Sequence, residues 1–313
     1  MFTQILLTRF KIITAAITAA QKNSNLPIIY NDGAITAWQK PDDGSLVLED
    51  TSIDTRVDRR IDFIERKRQS NIEAVTSAAA RELASVADVA DVAPDDDWVA
   101  RFFTAAQDIN TEQMQDLWGR ILSGEIKKPG SYSLRTLDFI RNISTEEAKV
   151  FEKIGHLAFC ASKQAFVWAE DKKWLESERG IRDSDHFLLA ELGIMYPTDL
   201  QLSTFLSDVD ETIFRFSDHL LHVLRGGIVD KIDIKIWKFT GIGLEMLALL
   251  SPKFDNEYIG KVAKIFTNRK GEVTLGVVTA DFSDGRISYN IVRKYEAEVV
   301  PSQPNTAPES APK

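Results

Sequence analysis

From Thr55 to Ala90 the chain contains neither proline nor glycine, and no other feature restricts its fold so strongly. Val57, Ile61, Ile64, Ile72, Val75, Ala79, Leu83 and Val86 fit steps of three and four residues along this run. That spacing gathers them on one stripe of an α-helix. Arg56, Arg59, Arg60, Arg66, Lys67 and Arg68 alternate with Asp58, Asp62 and Glu65 on the other faces. Opposite charges three and four positions apart support an exposed helix. Two readings follow for residues 51–93, a solvated strut laced by ion pairs and a coiled-coil or dimer arm. Pro94 ends the segment.

Residues 94–170 read as short helices with distinct start and stop signals. An aspartate of Asp95-Asp96-Asp97 caps a helix with Trp98, Phe102 and Ala105 facing inward. Asn110, with Gln113 where a capping box needs it, is expected to open "TEQMQDLWGRILS". Met114, Leu117, Trp118, Ile121 and Leu122 form its apolar face, and Gly124 is expected to close it as a left-handed cap. Pro129-Gly130 makes the turn, and Ser131 or Ser133 caps "LRTLDFIRN". Ser144 with Glu147 is a second capping box, opening a helix expected to pass Phe151, Ile154, Leu157 and Ala158 and end near residue 165. Lys127, Lys128 and Arg135 crowd the corner between two of these helices, close to N-terminal amides that attract anions. The corner is structural first, and its three cations are the candidate partner-binding residues.

The ends of the chain have a different texture. Within residues 1–50, Phe2, Ile5, Leu6, Ile12, Ile13, Ala16 and Ile17 mark an amphipathic helix, followed by short strands and a hairpin at Asn31-Asp32-Gly33. Arg9 and Lys11 break the apolar run, so it falls short of the roughly 18–20 residues that span a bilayer. Such a helix can pack on the protein or lie on a membrane surface. Within residues 171–298, "HFLLAELGIM" reads as a helix ended by Gly193, and residues 199–229 as one or two helices stopped by Gly226-Gly227. "DKIDIKIWKFT" alternates like a half-buried strand, and Thr240 is placed to cap "GIGLEMLALL". "YIGKVAKIF" adds a helix, followed by two strands about Ser283-Asp284-Gly285. Residues 299–313 are too poor in apolar side chains to order. The expected class is mainly α with small β elements (α+β): a helical central domain followed by a winged-helix-like C-terminal region.

Few kinds of catalysis find support. Neither common nucleotide cradle is present, and no G-x-S-x-G or H-E-x-x-H occurs. His219 and His222, with Asp218 beside them, would share a helical face, but no further ligand is spaced to complete a metal site. His156 and Cys160 would likewise share a face as a thiol–imidazole dyad, although apolar surroundings favour an inert thiol. His186 reads as structural. No enzyme activity, cofactor or metal is expected. Cys160 is the single cysteine, which rules out an intrachain disulfide and fits a reducing compartment. The formal net charge of −9 argues against a broad nucleic-acid surface.

Trp98, Phe102, Met114, Leu117-Trp118, Leu122, Gly124-Glu125, Pro129-Gly130-Ser131, Leu134-Arg135 and Thr136-Leu137, preceded by "RKRQSNIE" at residues 66–73, carry a family resemblance. This pattern resembles an uncharacterised bacterial family, domain of unknown function 2806, and is more distantly similar to abortive-infection alpha-type proteins. The resemblance implies no catalytic residues. It implies a bacterial cytoplasmic protein of the accessory genome, often encoded beside phage-defence genes. The expectation is a non-enzymatic sensor or adaptor of antiphage defence, acting through a protein partner, with self-association or a membrane contact through residues 1–20 as further options. The alternative is a winged-helix DNA-binding regulator. Its recognition helix at residues 211–225 would set Arg215 and Arg225 against Asp210, Glu211 and Asp218, a poor balance for phosphate contacts.

Overall fold

The run without breakers folds as one helix as far as Leu83, α1 (Ile53–Leu83), in the computed structural model. The structure describes residues 28–31, 34–37, 53–84, 92–161, 163–206, 209–251, 253–281 and 286–296. They fall into two compact units, Met1–Ile143 and Ser144–Lys313. Residues 1–20, Val86, the Ser283-Asp284-Gly285 turn and the 299–313 tail lie outside the described residues, as do Asp32 and Gly33. The strands flanking those last two, β1 (Ile28–Asn31) and β2 (Ala34–Ala37), pair antiparallel.

In the first unit, α1 uses its stripe unevenly. Val75, Ala78 and Ala79 are buried, whereas Ile53, Val57, Ile61 and Phe63 are exposed. The expected i,i+4 and i,i+3 pairs form at Arg66–Asp62 (2.8 Å) and Arg68–Glu65 (2.9 Å). α2 (Asp96–Ala106), α3 (Glu112–Lys127) and α4 (Leu134–Asn142) complete the unit. Phe102 is its aromatic centre, 5.1 Å from the stacked Trp98 ring and 5.2 Å from Trp118. Trp118 is fully buried, with no partner for its Nε1–H among the described residues. α3 lies against α1 at Gly119, where a Cβ would overlap Ala78 and stand 2.9 Å from the backbone nitrogen of Ala79.

The capping box expected at Asn110 and Gln113 is absent. Thr111 holds the cap position of α3 without a side-chain bond. Asn110 is committed to the buried Asn71 instead, whose Nδ2 donates to the carbonyl of Gln107 (2.8 Å) and to Asn110 Oδ1 (3.2 Å). Gln115 donates to Asn71 Oδ1 (3.3 Å) and to the carbonyl of Ile109 (3.0 Å), so α1 is fastened to the loop that starts α3.

The second unit is α+β, and its β part is far larger than expected. Eight antiparallel strands run in the order β10-β9-β7-β6-β3-β4-β8-β5. They are β3 (Phe159–Ala161), β4 (Gln164–Trp168), β5 (Leu200–Thr204), β6 (Glu211–Phe216), β7 (His219–Leu224), β8 (Ile232–Lys238), β9 (Glu272–Asp281) and β10 (Ile287–Tyr295). The helices are α5 (Thr145–Gly155), α6 (Lys172–Arg179), α7 (Asp183–Glu191), α8 (Gly241–Leu247) and α9 (Asn256–Thr267). α5 ends at Gly155 rather than near residue 165, and the stretch beyond it forms β3 and β4. Residues 199–229, expected as helix, contain β5, β6 and β7. The hairpin between β6 and β7 turns on Ser217 and Asp218, with Ser217 at φ 56° and no glycine to announce it. β8, Thr240 as cap of α8, α9 and the last two strands are as expected. β10 departs from regular pairing between Ser288 and Tyr289 and again between Ile291 and Arg293.

α9 lays Tyr258, Val262 and Phe266 on the sheet, with Phe266 5.5 Å from Phe214 and the Tyr258 hydroxyl accepting from the backbone N–H of Trp168 (2.7 Å). Arg179 clamps the start of α9 by donating to both oxygens of Asp255 (2.6 and 2.9 Å) and to Glu257 (2.9 Å). Burial pushes the Asp255 carboxyl up, but Arg179 and the backbone N–H of Tyr258 outweigh it and hold the group below the usual carboxylate range.

Two expectations follow. In Gly119→Ala the new methyl meets main chain that cannot step aside. Overpacking of about 1–3 kcal/mol should exceed the roughly 0.5–1 kcal/mol that alanine contributes to helix propensity, giving a lower urea midpoint. Asp255→Asn tests the clamp. A carboxyl with a depressed pKa stabilises above its ordinary pKa and loses that contribution as pH falls through the bound value. The variant should therefore melt below the parent at neutral pH, and the gap should close as pH falls through and below the ordinary aspartate range. A gap independent of pH would refute the clamp.

Candidate functional site

The corner that carries Lys127, Lys128 and Arg135 is built from its inside outwards. α3 does not stop at Gly124 but continues to Lys127, and the left-handed position belongs to Gly130 (φ 83°). Gly124 is needed for space, since a Cβ there would lie 2.8 Å from the Tyr132 ring. Glu125, only 2 % exposed, turns its carboxylate onto the turn. Oε1 accepts from the backbone N–H of Gly130 (2.6 Å) and Oε2 from that of Tyr132 (3.0 Å). The carbonyl of Tyr132 accepts from Trp98 Nε1 (2.7 Å), which ties the turn to α2. Of the two serines, Ser133 caps α4, while Ser131 donates to the carbonyl of Lys128 (2.6 Å).

Onto this frame are set the three cations. Lys127 is the last residue of α3, Lys128 its exposed C-cap, and Arg135 an exposed residue in the first turn of α4. Lys127 is half-buried. None of the three charged side chains has an ion-pair or hydrogen-bond partner among the described residues. The corner can attract and orient an anionic group, and it holds no nucleophile poised for chemistry.

The histidine and cysteine pairs are rearranged by the change from helix to strand. His156 is the C-cap of α5, with Nε2 3.3 Å from Glu152, and Cys160 lies on β3. The shared helical face is gone, and no hydrogen bond joins them. Burial raises the thiol pKa and outweighs the lowering by Arg215, so the thiol is held neutral. His219 and His222 both lie on β7, where positions three apart point to opposite faces. His219 contacts Asp218 and stacks on Phe254 at 3.9 Å. His186 is buried, stacked on Trp237 at 4.5 Å, with Nε2 2.9 Å from the carbonyl of Tyr196. Burial lowers its pKa.

His222 belongs to a chain absent from the sequence reading. Its Nε2 is 2.9 Å from Glu211 and its Nδ1 2.8 Å from the Tyr289 hydroxyl. A carboxylate only accepts, so the ring nitrogen facing Glu211 carries the N–H that donates to it. Gly276 makes this possible, because a Cβ there would overlap the Tyr289 ring. Three strands are thereby linked across β9. No group of three or more His, Cys, Asp or Glu able to hold a metal occurs among the described residues.

The residues framing the corner, from α1 to α4, lie inside a longer stretch that matches a family model, described as protein of unknown function (DUF2806), over residues 55–263. The chain belongs to this family. The DUF2806 match reaches well past the corner, into the sheet and most of α9. No curated protein and no solved structure matches the chain. No helix among the described residues is long and apolar enough to cross a membrane.

The sequence gives little sign of Glu125, since a glutamate near a helix end usually reads as surface. Its only signal is position, one residue after the glycine that admits Tyr132. Glu125→Ala would leave two backbone N–H groups without their acceptor, each costing about 1–3 kcal/mol where water cannot replace it. Circular dichroism melts should show a large fall in Tm, and Glu125→Gln a smaller one. An unchanged Glu125→Ala melt would mean that water satisfies the turn.

Proposed function

We propose that this DUF2806 protein is a non-catalytic sensor or adaptor that meets an acidic protein partner at the corner between α3 and α4. The carrying observation is the set Lys127, Lys128 and Arg135, whose side chains are unpaired among the described residues, on a turn braced by buried Glu125. Charge on a pre-ordered frame loses little loop entropy on binding. Its field also steers an oppositely charged partner and disfavours others. We further propose that this role belongs to the cytoplasm and to bacterial antiphage defence, a placement that rests on the resemblance of the sequence pattern alone. Self-association through the exposed first half of α1 and a membrane contact through residues 1–20 extend the same proposal.

The alternative, a winged-helix regulator, needs a recognition helix at residues 211–225, where β6 and β7 stand. Nucleic acid therefore has no part in the proposal.

Reversing Lys127 and Lys128 together to glutamate tests the reading. Two carboxylates at the C-terminal end of α3 oppose the helix dipole at about 0.3–1 kcal/mol each, so stability should fall by no more than about 2 kcal/mol and the variant should stay folded. Protection in a phage-plating assay should be lost with that same, folded variant. Full protection would reduce the corner to a structural joint.

A further inference from the structure

We infer that a cavity in the second unit binds a small, mainly apolar molecule carrying one negative charge. The cavity holds about 300 Å³ and is lined by residues from α5, β3, β6, α8 and α9. This is the lower end of the roughly 300–1,000 Å³ typical of small-molecule sites. Its walls are apolar: Phe216 from the sheet, Leu244 and Leu247 from α8, Leu250 just beyond it, and Ile259 from α9. Gly155 sets the wall geometry, because a Cβ there would overlap Leu250. The α8 segment can therefore lie directly on the end of α5.

The polar groups show what such walls would accept. Asp255 is the one carboxylate in the lining, and both its oxygens are taken by Arg179, with a further bond to Oδ1 from the backbone N–H of Tyr258 (3.0 Å). Arg215 donates Nη1 to Asp281 (2.6 Å) and Nε to the carbonyl of Ser217 (2.9 Å), leaving Nη2 without a bond among the described residues. Lys253 is exposed and has no carboxylate partner among the described residues. Glu152, behind His156, is exposed to solvent and does not line the cavity. The lining thus carries one uncompensated positive charge at Lys253 and one spare guanidinium donor. A cation would be repelled, and a phosphate-like dianion would gain nothing from leucine and phenylalanine walls. A carboxylate on a short acyl or aryl body satisfies both features.

Cys160 lines the cavity and is the only cysteine in the chain, so its alkylation reports occupancy directly. Decanoate, kept below its micelle concentration, is the probe, and decanol is the uncharged control. Decanoate should slow alkylation of Cys160 by N-ethylmaleimide and raise Tm. Decanol should protect about tenfold more weakly, as one charge-assisted contact is worth. Lys253→Glu should remove the preference for decanoate, and Leu247→Trp, checked for folding by circular dichroism, should abolish protection by either compound. Unchanged alkylation at millimolar decanoate, a lowered Tm, or equal protection by decanol would each overturn the inference. The Lys127/Lys128 double reversal lies in the other unit and must leave decanoate protection intact, so this site and the proposed docking corner succeed or fail separately.

Discussion

Glu125 keeps an ionisable side chain in a place that water barely reaches, and the donors that satisfy it are the main-chain N–H groups of the turn it faces. A buried carboxylate persists only when its oxygens are matched, and a turn persists only when its amides are matched. Here each meets the need of the other. Tyr132 is placed as a result, with its ring against Gly124 and its carbonyl on Trp98. Trp98 stacks on Phe102, and Phe102 meets Trp118 at a tilt, so the interaction propagates into the centre of the first unit.

The sheet unit is held differently. Its aromatic side chains are shared between helices and several strands, and charge is confined to the margins. Tyr258 illustrates the division: its ring is wholly buried, its hydroxyl serves the backbone of Trp168, and burial drives its pKa upward. Three residues earlier in the chain, Asp255 caps the same helix and meets Arg179, which also lies over the Trp174 ring at 4.4 Å.

How much could be read from the residues alone followed from how each element announces itself. α2, α4 and the start of α5 were legible because apolar period and capping residues agree there, and α1 because a long periodic run carries no breaker. β6 and β7 were not, because their turn uses Ser217 in a left-handed conformation instead of glycine, and "HLLHVL" fits a helix as well as a strand buried on both faces. That misreading carried the two histidines with it, since residues three apart share a helical face but not a strand face. Gly124 was misread because a glycine kept for close approach looks the same in sequence as one kept for a cap. At the corner, the cations were visible from their spacing, whereas Glu125 depends on a contact seven residues away that no period encodes.

The two irregularities in β10 have a bearing on life in a crowded solution. β10 is the outermost strand at its end of the sheet, and it exposes Ile291 and Val292. A straight, apolar border would offer a row of backbone groups to any extended chain that drifted past, and stacking could continue from one molecule to the next. Shifts in register at Ser288/Tyr289 and Ile291/Arg293 break that row twice within nine residues. Bulged strands bend and twist away from regular pairing. The border therefore makes a poor template for amyloid-like growth, even though its side chains alone would mark it as adhesive.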